Sequence, residues 1–344
     1  MYRILAADIG ATNSRFALFC ASDSGPLLRL ERERWLKGAD YPTFDDALCE
    51  LRQPQSGEAP FFDPAQAMPD IAIIAPAGPI LGAPGRQRCR TSNLAWDIDA
   101  QKTAQLLEIA YVELINDFAA QAQAVLLPEA IDAACILTGR AVAKAPRAVV
   151  GAGTGFGKAL VLCSQAPVNE TRAAMLVRLA GAVILPSEGG HAEFPFVGKE
   201  EMDFAAFVAR REATPRLIFD SIVSGKGLAH IHAWVSGKSV HPHEATAQAV
   251  ENEDVMALYA RFYGRACKAF VLETLALGGC YVAGGMALRV PVLRHPAFAE
   301  EFFASTVQED LLRNIPVWQV KNPQAGLWGA ALYGLLRLVK EKKK

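Results

Sequence analysis

The 344-residue sequence has no surplus of either charge: 35 lysines and arginines stand against 36 aspartates and glutamates. Without a net field to draw in a polyanion, a nucleic-acid or charged-membrane role is disfavoured. It also lacks an apolar run near the ~18 residues needed to span a bilayer. The apolar stretch in residues 1–8 is too short for a secretory signal, so the expected setting is the cytoplasm, with no membrane partner. The seven cysteines are scattered and include no Cys-x-x-Cys pair, which removes zinc and dithiol redox chemistry and leaves them as small apolar fillers in a reducing compartment. Neither glycine-rich segment, residues 8–15 or 151–158, is a Walker loop, which needs Gly-Lys-Ser/Thr opening a helix, or a Rossmann fingerprint, which needs a strand-turn-helix setting.

What is present is the composition of a globular chain, 51% hydrophobic and 21% charged, long enough for two lobes that each bury a core. Two segments repeat one another. Residues 5–19 read apolar strand, small polar turn, apolar strand, and residues 149–162 have the same grammar, with Asp8 to Arg15 matching Gly151 to Lys158 without a gap. Strands joined by such tight glycine turns predict β-hairpins, and the repetition predicts one lobe architecture used twice. Further strands are expected at residues 71–74, 112–115, 281–283 and 317–320, and helices at 255–275 and 327–338. Residues 54–69 read as a surface loop. The expected fold class is α/β, with a mixed sheet covered by helices in each lobe. The lobes are placed at residues 1–125 with 322–344, and at residues 126–321.

Backbone amides exposed by Gly10, Ala11 and Thr12 and by Gly153, Thr154 and Gly155 can donate to phosphate oxygens, with Thr12 and Thr154 adding hydroxyls. Asp8, just before the first turn, has two readings: a carboxylate holding Mg²⁺ through water, or a turn cap. Asn116-Asp117 ends an apolar strand, where α/β folds place chemistry, but aspartate is equally a helix cap. In Ser187-Glu188-Gly189-Gly190-His191, two glycines let Glu188 and His191 converge on a polyol; a solvated loop is the rival. The pairs His230/His232 and His241/His243 do not make a metal site, because the first diverges on a helix and the second flanks Pro242 at a helix start.

Taken in order, these motifs resemble the bacterial glucokinase family of the hexokinase, actin and Hsp70 ATPase superfamily. The likeness spans nearly the whole chain: residues 8–15, 114–118, 151–157, 187–191, Ser224-Gly225-Lys226-Gly227-Leu228 and Val282-Ala283-Gly284-Gly285. It implies a two-lobed actin/hexokinase-like (ribonuclease H-like) fold with a five-stranded mixed sheet in each lobe, a cleft between lobes, and ATP-dependent phosphorylation of glucose to glucose 6-phosphate in glycolysis. Asp117 is then the general base, and Asn93, Asn116, Glu188, His191 and Asp220 contact the sugar. Asp8, Gly10, Ala11, Thr12, Asn13, Gly153, Thr154, Gly155, Gly284 and Gly285 hold the nucleotide, with Mg²⁺ at Asp8, and the protein is a cytoplasmic homodimer. Three positions depart from the family's pattern: Asp220 replaces a glutamate, Ala11 a glycine and Lys226 a proline, and residues 168–184 are longer than usual. The zinc-binding cysteine cluster of the related ROK kinases is absent. Two alternatives stay open: a kinase for another hexose or aminosugar, or a non-catalytic sugar-sensing regulator on the same fold.

Overall fold

The computed structural model describes residues 1–10, 13–22, 25–53, 60–62, 67–91, 94, 96–163 and 170–342. The chain forms two compact units, Met1–Ala130 with Ala166–Gly181 and Gln324–Lys344, and Ile131–Gln165 with Ala182–Pro323. Most of the expected surface loop, residues 54–59 and 63–66, lies outside the described residues.

In the first unit β1 (Tyr2–Ile9) and β2 (Asn13–Ala21) make the expected hairpin, in antiparallel register from Tyr2 opposite Ala21 to Ile9 opposite Ser14. β3 (Arg29–Lys37) adds antiparallel to β2, while β4 (Ile71–Pro76) runs parallel to β1. Three short strands, β5 (Ile80–Leu81), β6 (Arg88–Arg90) and β7 (Asp97–Asp99), form a separate small sheet. β8 (Val112–Leu114) completes the main sheet parallel to β4, in the order β3-β2-β1-β4-β8. Every residue of β4 is buried, as a strand covered on both faces requires. The helix Ala325–Glu341 covers one face, where Trp328 meets Phe19 edge-on at 5.1 Å. It also packs on the helix Asp117–Ala124, so closely that a Cβ on Gly329 would lie 1.8 Å from the Ala120 carbonyl oxygen. The helix Arg172–Ala180 belongs to this unit because Arg172 donates to the carbonyls of Ser22 and Gly25.

The second unit repeats that topology. β9 (Ala133–Leu137), β10 (Arg147–Ala152), β11 (Phe156–Leu162), β12 (Val183–Ser187), β13 (Cys280–Ala283) and β14 (Val317–Val320) form one sheet, ordered β12-β11-β10-β13-β14-β9. Its first five strands reproduce the order and directions of the first sheet, with β11 antiparallel to β10 and to β12, and β13 parallel to β10 and β14. The expected mixed sheet is thus extended by a sixth strand, β9, antiparallel to β14. Its core packs around the helix Glu253–Thr274, where Phe262, Tyr263 and Phe270 meet Phe156, Phe194 and Phe219. Five cysteines are buried as expected, but Cys49 and Cys135 are exposed, so the filler reading fails for those two. Among the described residues, no helix is long and apolar enough to cross a membrane.

Candidate active site

Because β1, β4 and β8 run parallel, their C-terminal ends leave one edge of the first sheet, and Asp8 and Asn116-Asp117 leave it together. Such an edge is where open α/β sheets bind ligands. Asp8 stands opposite Arg15 in the hairpin, with Arg15 Nη1 3.8 Å from Asp8 Oδ2 and the guanidinium stacked 4.3 Å over the Trp35 ring. Burial raises the Asp8 pKa above the ordinary carboxylate value, opposed by Arg15. The first turn of the helix Ala325–Glu341 approaches from the other side. A Cβ on Gly326 would lie 3.2 Å from Asp8 Oδ2 and 3.3 Å from Gln121 Nε2, so only glycine leaves the carboxylate room without a shift. The first turn closes through Gly10 N donating to the Asn13 carbonyl at 3.2 Å. Ala11, Thr12 and Asn93 lie outside the described residues.

The two readings of Asn116-Asp117 divide between the two residues. Asn116 is the helix cap: its Oδ1 accepts from the amides of Phe118 and Ala119 at 3.0 Å each. Asp117 is the first helical residue, its Oδ1 accepting from Phe118 N at 2.8 Å. The Cys89 thiol is pushed up to about 11 by burial and by the charge of Asp117, which places that carboxylate in the neighbourhood of β6.

In the second unit, β10, β13 and β14 are again parallel, and the glycine turns after β10 and β13 meet at their C-terminal edge. Gly153 N donates to the Gly155 carbonyl at 2.8 Å, and Gly225 N, opening the helix Gly225–Ser236, donates to the Gly153 carbonyl at 3.0 Å. Gly284, at φ +88°, lies so close to Ala152 that a Cβ would sit 2.5 Å from its carbonyl oxygen; Gly285 follows as the first residue of a short helix. Two buried tyrosines support the turn from beneath. Ala152 N donates to the Tyr263 phenol oxygen at 3.1 Å, and the Tyr259 hydroxyl donates to the Ser224 carbonyl at 3.5 Å. Thr154 is exposed at the tip.

The Gly189-Gly190 turn rests on β11. A Cβ on Gly190 would lie 2.0 Å from the Phe156 carbonyl oxygen, which explains the glycine more strongly than chain reversal does. Glu188 and His191 are exposed and converge, His191 Nε2 standing 3.6 Å from Glu188 Oε2. Asp220 is bonded to the β10–β11 hairpin itself: its Oδ1 accepts from Phe156 N at 2.6 Å. Burial raises the Asp220 pKa, against the Phe156 amide and the charges of His191 and Lys226. Beside it Glu212 Oε1 receives Lys226 Nζ at 2.7 Å and stands 2.9 Å from His230 Nε2, while Glu212 Oε2 accepts from the Ser221 hydroxyl at 3.1 Å. Burial works to raise the Glu212 pKa, but these bonds outweigh it and hold the carboxyl below the ordinary range. His232 is buried against the Lys238 carbonyl, and His241 caps the helix Pro242–Ala249.

The positioning groups that the sequence reading missed are Tyr259, Tyr263, Gln121 and the Glu212 cluster. For the tyrosines a signal existed: two buried phenols one helical turn apart each need a hydrogen-bond partner.

The glucokinase family model matches residues 5–336. The glucokinase of Cupriavidus pinatubonensis is 31% identical, over 96% of this chain and 91% of its own length. That of Trichormus variabilis is 28% identical, over 96% and 98%. Among solved structures, a glucokinase from an Antarctic psychrotroph superposes with a TM-score of 0.72 at 27% identity, covering 97% of this chain and 98% of its own. With the repeated lobe topology and the ordered turns, these matches show that the chain belongs to the glucokinase family.

Proposed function

We propose that the protein transfers the γ-phosphate of ATP to the primary hydroxyl of glucose, with Asp117 as general base. The observation that carries this reading is the departure of Asp8 and Asp117 from one edge of the parallel β1, β4 and β8 array, in a chain matched along its length by glucokinases. Phosphoryl transfer through a loose transition state asks the protein for position and charge stabilisation. The amides of the two glycine turns hold the phosphates, and Gly284 and Gly285 bound the nucleotide. Asn93, Asn116, Glu188 and His191 hold the sugar hydroxyls, and Asp117 accepts the hydroxyl proton as the oxygen attacks. A positioned base contributes about 10²- to 10⁴-fold.

Mg²⁺ keeps several waters and takes one or two carboxylates together with substrate phosphates. Asp8 fits that use as a single, largely buried carboxylate beside a phosphate turn, with room preserved by Gly326. A protein-only cage does not fit, since no group of three or more His, Cys, Asp or Glu side chains among the described residues is placed to hold a metal. When bound, the ion would neutralise phosphate charge. On the same reading the protein acts in the cytoplasm as a homodimer.

One observation favours a second reading, a kinase for another hexose or an aminosugar. Asp220 stands where the family carries a sugar-facing glutamate, and its Oδ1 is engaged by Phe156 N. ADP release with ATP and Mg²⁺ across a sugar panel separates the two. Glucose should give the highest kcat/KM; a clear preference for an aminosugar would install the second reading, and ADP release indifferent to sugar would remove both.

A further inference from the structure

Lys158 lies on β11 with 1% of its surface exposed, and its Nζ has no hydrogen-bond partner. Aromatic rings surround it instead, with centroids at 3.9 Å for Phe219, 5.4 Å for Phe270 and 6.0 Å for Phe156. A ring face attracts a cation, but an ammonium carries three protons that all lose water here without an acceptor. Burial accordingly lowers the Lys158 pKa, with Glu273 and Cys267 opposing.

Directly over this amine sits the turn that carries Glu188 and His191. Lys158 pairs with Ser187 across β11 and β12. A Cβ on Gly189 would lie 3.0 Å from Ser187 Oγ, 3.1 Å from Lys158 Cδ and 3.5 Å from Lys158 Nζ. The turn therefore has two supports on β11, the Phe156 carbonyl under Gly190 and the end of the Lys158 side chain under Gly189. The space between them leaves no place for a hydrated ammonium.

We propose that Lys158 is a positioning residue for the 187–191 turn and that its uncharged amine is the form that fits beneath Gly189, so that affinity for the sugar rises as Lys158 loses its proton. The inference rests on the reading of this turn as the sugar-binding element. Other charged and titratable groups lie on the elements packed against Lys158: Glu273 and Cys267 on the helix Glu253–Thr274, Glu188 and His191 on the turn, and Asp220 next to Phe219. None of them bonds to Nζ. Glu273 and Cys267 act on Lys158 through charge, so Lys158→Arg, which keeps the positive charge without a titrating proton, separates loss of the amine's proton from any change in these neighbours.

The test measures the glucose dissociation constant by calorimetric titration, and the ATP KM by turnover, from about pH 6 to about pH 9. Wild type, Lys158→Met and Lys158→Arg are compared, each checked for folding by thermal unfolding. Wild type should bind glucose more tightly as pH rises, by up to about tenfold, the factor carried by one unit of pKa difference between free and sugar-bound protein. Lys158→Met should lose that component and keep its ATP KM within about twofold of wild type. Lys158→Arg, which does not deprotonate, should keep the weak, low-pH affinity throughout; if it does not fold, the methionine variant decides. An unchanged glucose profile in Lys158→Met, or equal changes for glucose and ATP, overturns the inference. Wild type that turns over no glucose would instead sink the proposed function.

Discussion

Asp220 Oδ1 accepts a 2.6 Å hydrogen bond from Phe156 N, and the same oxygen lies 2.3 Å from where a Cβ on Gly155 would be. One carboxylate thus both holds the second glycine turn and dictates glycine at its last position. A hydrogen bond to a charged acceptor contributes about 1.5 to 3 kcal/mol, enough to fix the turn by itself.

That contact separates two glycines that look alike in sequence. A Cβ on Gly153 meets nothing within 4 Å, so Gly153→Ala should unfold within about 2 °C of wild type. Its new methyl group would stand where a phosphate approaches the turn amides, and the ATP KM should rise about tenfold. Gly155→Ala should lose thermal stability and turnover together, because Asp220 must leave Phe156. Thermal scans and ATP kinetics on both variants decide it, and equal stability losses would contradict the geometry.

Asp117→Asn keeps an oxygen able to accept from Phe118 N, as Oδ1 does at 2.8 Å, so the helix start should survive. The amide does not take up the hydroxyl proton, and kcat should fall by about 10²-fold or more with glucose binding retained. Since the charge of Asp117 is the second cause, after burial, of the raised Cys89 pKa, that thiol should ionise at lower pH in the variant. Turnover like wild type would remove Asp117 as base, whatever Cys89 does.

The two hairpins were legible because residues 8–15 and 151–158 carry the same turn grammar, and the topology repeats with them. The strand β3 was not, since its Arg-Leu-Glu-Arg-Glu-Arg run is mostly partly exposed, and an edge strand rich in charge reads as polar surface. The helix Arg172–Ala180 buries only Leu179, and what ties it to the first unit, Arg172 donating to the carbonyls of Ser22 and Gly25, joins residues about 150 apart in sequence. In the site, the positions after parallel strands could be read from strand ends, and Asp220 was named through the family resemblance, but its hold on the second glycine turn was not legible. Its bond to Phe156 joins residues 64 apart in sequence. Lys158 was hidden because a lysine in a hairpin reads as solvent-facing, which its counterpart Arg15 partly is.

Lys158→Met should stabilise the protein at neutral pH, by on the order of 1 kcal/mol or more, the cost of an unpaired buried polar group less its ring contact. The folded-state pKa lies below the unfolded value of about 10.4, and the lowering comes first from burial. Between the two values the unfolded chain binds more protons, so the penalty is full below the folded pKa and fades as pH rises toward the unfolded one. Urea unfolding of both proteins at neutral and alkaline pH should show the methionine variant's advantage shrinking as pH rises. An advantage that grows would reverse the sign and refute the account.

Gly329 and Gly334 lie on the same helix but differ in what surrounds them. A Cβ on Gly334 would meet only side-chain methyls and methylenes, at 2.9 Å from Ile4, 3.0 Å from Ile73 and 3.3 Å from Ile71. These belong to stiff, buried β-branched side chains, so the overpacking cost of about 1 to 3 kcal/mol is offset only in part by the up to about 1 kcal/mol of helix propensity that alanine gains over glycine, and Gly334→Ala should be mildly destabilising. A Cβ on Gly329 would lie 1.8 Å from the Ala120 carbonyl oxygen and 2.9 Å from Ala124 N, and backbone has no rotamer to yield. Gly329→Ala should therefore cost about 3 kcal/mol or more. Because Ala120 belongs to the helix that Asp117 opens, separating the two helices displaces the proposed base, and the fraction still folded should show a lowered kcat. Urea titration with turnover measured below the transition distinguishes these effects. Equal stability for the two variants would mean that the helix Asp117–Ala124 is not held at the distance seen here.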